Sequence, residues 1–180
     1  CIEAIMSPIN DPPAEAVGLD GIEKIVRDES LVNACKDGQD LDARWNMMMA
    51  STEGAMAFSK GLGAVHSMSH AIGANQELRL HHGTLNGVIL PTVIRFNKDH
   101  VGDKLPRILR AMGKSESADL ADEIEKFNEK INLPSGLKEM GVTEEMIPEL
   151  VEHSITDPSN VTTPRLPSPE EWEQLFLSAM

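Results

Sequence analysis

Apolar residues recur at helical spacing through almost the whole of this 180-residue chain, and no segment alternates apolar with polar residues as a half-buried strand would. That pattern restricts the fold to packed helices. Residues 8–13 form a Pro-rich loop, with Pro12 and Pro13 suited to open a helix. From 14 to about 27, Ala16, Val17, Leu19, Ile22, Ile25 and Val26 keep helical spacing. Asp40 is placed to cap a long helix through Trp45, Met47, Met48, Met49, Ala55, Met56 and Phe58, which Gly61 and Gly63 end. A helix over 64–74, a polar loop over 75–81 and a helix carrying Leu85, Val88, Ile89, Leu90, Val93 and Ile94 follow; Pro91 is expected to kink or break that helix. Further pieces open at Lys98 with Leu105, Ile108, Leu109 and Met112 apolar, at Ser115 or Ser117 as caps for 118–132, at Thr143 for a helix to about 154, and at Ser168 behind a Pro/Thr/Ser loop. The expectation is one all-α domain over residues 1–180, a bundle of about eight or nine helices.

Composition narrows what such a bundle does. A net charge of −13 argues against nucleic acid and against an anionic membrane surface, both of which are bound through Lys and Arg. No run approaches the roughly 18 apolar residues needed to span a bilayer, and no signal peptide opens the chain, so a cytoplasmic protein is expected. Two cysteines, Cys1 and Cys35, make no disulfide framework. Cys1 invites readings as an N-terminal nucleophile or a lipid attachment point, but neither bears on the histidines described next, and a truncation point explains it more simply. Met47, Met48, Met49 and Met56 are expected as adaptable core. Phe58 is expected either in the core or lining a substrate pocket. The acidic stretch 116–129 reads as a solvated helix face.

The candidate chemistry lies in Gly63-Ala64-Val65-His66-Ser67-Met68-Ser69-His70-Ala71-Ile72-Gly73 and in His81-His82-Gly83. Positions i and i+4 of a helix share a face, so His66 and His70 point into one space, and a short loop returns His82 to it. Neutral imidazole is the commonest metal ligand and a usable acid or base near pH 7. The Glu that must follow the first histidine of a zincin protease is absent. Gly63, Gly73 and Gly83 are expected to allow close backbone approach. Three readings stay open on the residues alone: a metal-assisted oxidoreductase site; a helical metal-dependent hydrolase drawing on Asp11, Asp20 or Glu77; and a non-catalytic interaction domain in which the histidines only pack.

The run Gly61-Leu62-Gly63-Ala64-Val65-His66-Ser67-Met68-Ser69-His70, then His82-Gly83, Asn86-Gly87-Val88-Ile89-Leu90-Pro91 and Arg95-Phe96-Asn97, closely resembles the signature of the iron-containing (group III) alcohol dehydrogenases. The resemblance reaches both ends, through Cys1-Ile2-Glu3-Ala4-Ile5 and through Thr163-Pro164-Arg165 with Pro169-Glu170-Glu171-Trp172. It implies the family's helical C-terminal half, a dehydroquinate synthase-like C-terminal domain. By the same resemblance His66 and His82 are metal ligands, and His70 sits beside the reacting carbon, where it relays a proton. His81 has no counterpart and is expected at the surface. The implied activity interconverts a primary or secondary alcohol and its aldehyde or ketone, with Fe(II), or Zn(II) on the same donors, and NAD(P) in the complete enzyme, which is expected to be a homo-oligomer such as a dimer. The α/β half that binds the dinucleotide, and an Asp-x-x-x-His pair completing the metal site, are expected to lie upstream of Cys1, since no Gly-rich turn follows a hydrophobic strand here. A fragment on its own is expected to be inactive and to bind metal weakly or not at all.

Overall fold

The computed structural model describes residues 1–180, which form helices and no strand. In chain order they are α1 (Ile2–Met6), α2 (Pro12–Ile22), α3 (Ser30–Lys36), α4 (Leu41–Ala57), α5 (Ala64–Gly73), α6 (His82–Asn97), α7 (Lys104–Ala111), α8 (Leu120–Lys130), α9 (Ile147–Thr156) and α10 (Pro169–Ser178). Ten α-helices exceed the eight or nine expected because α1 and α3, of five and seven residues, are too short to show a repeating apolar face.

Local chemistry sets most helix starts. Asp11 accepts from the Ala14 amide, Asp40 from the Ala43 amide, and Ser168 with Glu171 closes a capping box on α10. Two expected caps are corrected. Asp119, not Ser115 or Ser117, caps α8 by accepting from the Ala121 and Asp122 amides, while the two serines bond each other. Thr143 makes no side-chain cap; a 3-10 turn over Glu144–Met146 leads into α9 instead.

Pro91 does not break α6, which runs from His82 to Asn97 through it. A proline cannot donate to the carbonyl four residues back, here that of Gly87. Asn128 on α8 donates its amide to that Gly87 oxygen at 2.8 Å, so the orphaned acceptor is satisfied from the neighbouring helix. Unbroken, α6 becomes the spine between two cores. One gathers Met68, Ile72, Leu85, Ile89, Trp172 and Phe176 from α5, α6 and α10. The other gathers Ile5, Ile22, Ile94, Ile108, Leu109 and Ile124 from α1, α2, α6, α7 and α8. At roughly 1.5–3 kcal/mol per large buried apolar side chain, these two clusters hold the bundle together.

Helix α4 reverses an expectation. Its buried face is Ala43, Ala50, Glu53 and Ala57, whereas Leu41, Trp45, Met48 and Met56, and Phe58 just past its end, are exposed, and Met47 and Met49 are only partly covered. The methionines and Phe58 are therefore not core. α2 approaches so closely that a Cβ on Gly18 would sit 3.1 Å from that of Ala57, and only small residues fit between. The acidic stretch is solvated as expected: Arg95 bridges Asp122 and Glu125, and Glu123 pairs with Lys114 and Lys126. No helix is long and apolar enough to cross a membrane.

Candidate active site

The entry to α5 is built for close approach. Gly61 has φ +88°, and a Cβ on Gly63 would meet Glu3 Oε1 and Thr163 Oγ1 at 3.2 Å. Glu3 of α1 is thereby brought against the start of α5. Its Oε1 accepts the Val65 amide at 2.6 Å and its Oε2 bonds His66 Nδ1. Gly73 is a correction: a Cβ there meets nothing, so its lack of a side chain serves no close approach.

His66 and His70 share a face of α5, and His82, the first residue of α6, faces them. Ring centroids are 5.7 Å apart for His66 and His70, 5.3 Å for His66 and His82, and 5.4 Å for the stacked pair His70 and His82. His81 turns away: exposed, it caps α6 by accepting the Thr84 amide at its own Nδ1. Of the two adjacent histidines, only His82 joins the cluster. Partial desolvation, aided by the neighbouring imidazoles of His66, His70 and His81, pushes the His82 pKa below the ordinary histidine value.

Asn86, one turn along α6 from His82, sets its amide nitrogen 3.3 Å from His66 Nε2 and 3.1 Å from His82 Nε2. An amide nitrogen only donates, so both ring nitrogens accept toward one point. The Asn86 oxygen is buried without a partner. A hydrogen-bond donor thus stands where two imidazole lone pairs converge, beside an unused oxygen. That donor set suits a borderline divalent cation such as Fe(II) or Zn(II). His70 is held separately. Its Nδ1 lies 2.9 Å from Asp157 Oδ2, and Asp157 also accepts the Ser159 amide at 2.8 Å. Burial works against the Asp157 charge, but the Ser159 contacts and His70 outweigh it and hold the carboxyl below the ordinary aspartate range.

Glu3, Asn86 and Asp157 are site residues that motif reading misses. Asn86 carries a usable signal, standing four residues after His82 and so on its face. Glu3 shows only as one charge in the apolar run Ile2–Met6, and Asp157 reads as an ordinary loop cap before Pro158. Asp11 caps α2, Asp20 pairs with Lys24 and Glu77 is exposed; none of the three bonds a histidine. No group of three or more His, Cys, Asp or Glu side chains within this chain is arranged to hold a metal, so the hydrolase reading lacks the ligand set it requires.

The chain matches the Fe-containing alcohol dehydrogenase family, C-terminal, over residues 1–180. It is 41% identical to 4-hydroxybutyrate dehydrogenase of Cupriavidus necator, across 100% of this chain and 48% of that protein. Against NAD-dependent methanol dehydrogenase of Bacillus methanolicus it is 31% identical, across 99% and 48%. The crystal structure of a 1,3-propanediol oxidoreductase superposes with a TM-score of 0.91 at 30% identity, covering 99% of this chain and 48% of that one. The chain spans about half the length of the curated relatives it matches.

Proposed function

Because the chain belongs to the iron-containing alcohol dehydrogenase family, we propose that it is the metal-holding helical half of a nicotinamide-dependent alcohol dehydrogenase. The observation that carries the reading is the meeting of His66, His70 and His82, two of them held by carboxylates. His66 and His82 would hold a divalent cation, iron by family and zinc on the same donors, with the remaining ligands drawn from an N-terminal half. When bound, the cation supplies Lewis acidity to the substrate oxygen, which lowers the pKa of an alcohol and polarises an aldehyde carbonyl.

The other residues move and steady the proton. With Nδ1 engaged by Asp157, His70 has Nε2 free to take the alcohol proton, and the carboxylate balances the charge that results. The ring is 43% exposed, so that proton has a route to solvent. In the reducing direction the same nitrogen returns it. No Gly-rich turn cradles a dinucleotide, so binding of NAD(P), the hydride acceptor, falls to the N-terminal half. Residues 1–180 alone should then be inactive and bind metal weakly or not at all. The relatives' names point to small primary alcohols among the primary and secondary alcohols the chemistry allows. A cytoplasmic homo-oligomer completes the proposal.

The test is metal content and nicotinamide-dependent turnover of the enzyme carrying its N-terminal half. His66→Ala and His82→Ala should lose the metal, while His70→Ala should keep it and lose turnover. Full metal retention by either of the first two variants sinks the ligand assignment.

A further inference from the structure

We infer that Glu3 is a positioning residue for His66: it keeps the proton on Nδ1 and so presents Nε2 to the site as a bare donor. This deepens, and rests on, the reading of His66 as a metal ligand.

Both oxygens of Glu3 are committed. One accepts the Val65 amide at 2.6 Å and the other bonds His66 Nδ1, while no Lys or Arg pairs with it. The residue is only 7% exposed, so its charge rests on its hydrogen bonds to this ring and to the Val65 amide at the start of α5. A carboxylate only accepts, hence Nδ1 must donate; a neutral imidazole has one proton, hence Nε2 has none. A second contact agrees from the other side of the ring, since Asn86 donates to Nε2. The backbone is shaped for the pair, because any side chain at Gly63 would press on Glu3 Oε1 at 3.2 Å. Metal-binding histidines in general have the far nitrogen fixed in this way, and removal of the fixing group costs about 10- to 100-fold in affinity.

Glu3→Gln separates positioning from packing. Glutamine has the same shape, and its oxygen retains the Val65 amide. Its NH2 then faces Nδ1, so His66 accepts there and its proton moves to Nε2, blocking the ligating atom.

The experiment is 15N NMR of the imidazoles in the metal-free chain at about pH 8, above the ordinary histidine range, followed by zinc titration of the enzyme carrying its N-terminal half. Wild type should carry the His66 proton on Nδ1. Glu3→Gln should carry it on Nε2 at an unchanged melting temperature, with zinc affinity lowered about 10- to 100-fold. A wild-type proton on Nε2 overturns the inference even if the variant fails to fold, as does a variant whose tautomer or zinc affinity is unchanged. The tautomer is read without metal. If it behaves as expected while zinc perturbs neither His66 nor His82 in the wild-type enzyme carrying its N-terminal half, the metal reading fails and the Glu3 pairing stands.

Discussion

His66 and His70 sit one turn apart on α5, each with a carboxylate on Nδ1, yet their surroundings differ. The His66 side chain is 20% exposed and its Glu3 partner lies inside the bundle, locked to the Val65 amide. His70 is 43% exposed and is held by Asp157 from a loop at the rim. The inner pair fixes a ring that, as a proposed ligand, would keep one lone pair in place. The outer pair leaves a ring open to water. Under the proposed function, the inner dyad would serve ligation and the outer one proton transfer.

The largest test of that contrast is His66→Ala against His70→Ala in the enzyme with its N-terminal half. Loss of the Lewis acid should cost several kcal/mol of transition-state stabilisation, about a thousand-fold in kcat, together with the metal itself. His70→Ala should lower kcat by about a hundred-fold or more with metal content intact. Equal metal loss in both variants would erase the distinction. Next in size is stability, measured by urea denaturation of residues 1–180. Glu3→Ala leaves the buried Val65 amide and Nδ1 of the half-buried His66 unpaired and should cost about 1–3 kcal/mol. Asp157→Ala should cost about 1 kcal/mol, the loss of the turn it caps at Ser159. The reverse order would place the rigid pair on the outside.

The smallest effect concerns pH. The folded pKa of Asp157 lies below its ordinary 3.8, so the native state holds this proton less tightly than the unfolded chain. Its contribution is therefore complete above about pH 4 and is lost as the pH falls through the folded value. Asp157→Asn should flatten that part of the acid-unfolding curve by about 1 kcal/mol or less, given its partial exposure to solvent. A variant curve that parallels wild type below pH ~4 would show that the rim carboxylate contributes nothing.

Much of the fold is legible in the residues, for identifiable reasons. Asp40 and Gly61 bound the long helix because a side-chain cap and a positive φ are local chemistry. The shared face of His66 and His70 follows from helix geometry alone. Helix α4 shows the limit. Its apolar residues announce a helix, but the side that is buried depends on the glycine and alanine surface of α2, which no pattern within α4 reports. Pro91 marks the same limit, since the donor that keeps α6 whole comes from Asn128, 41 residues away from Gly87.

The amino-acid order by itself determined that this chain is helical, where its principal helices begin, and that three histidines stand at positions able to meet. Those outcomes rest on hydrogen bonds, caps and spacings within a few residues of one another. Only the tertiary structure decided that Glu3 holds His66, that Asp157 holds His70, that Asn86 bridges the two facing nitrogens, and that His82 rather than His81 joins them. The two carboxylates lie 63 and 87 residues from their histidines. Partnerships over such separations are set by the packing of whole helices on a shared core, which local spacing does not encode.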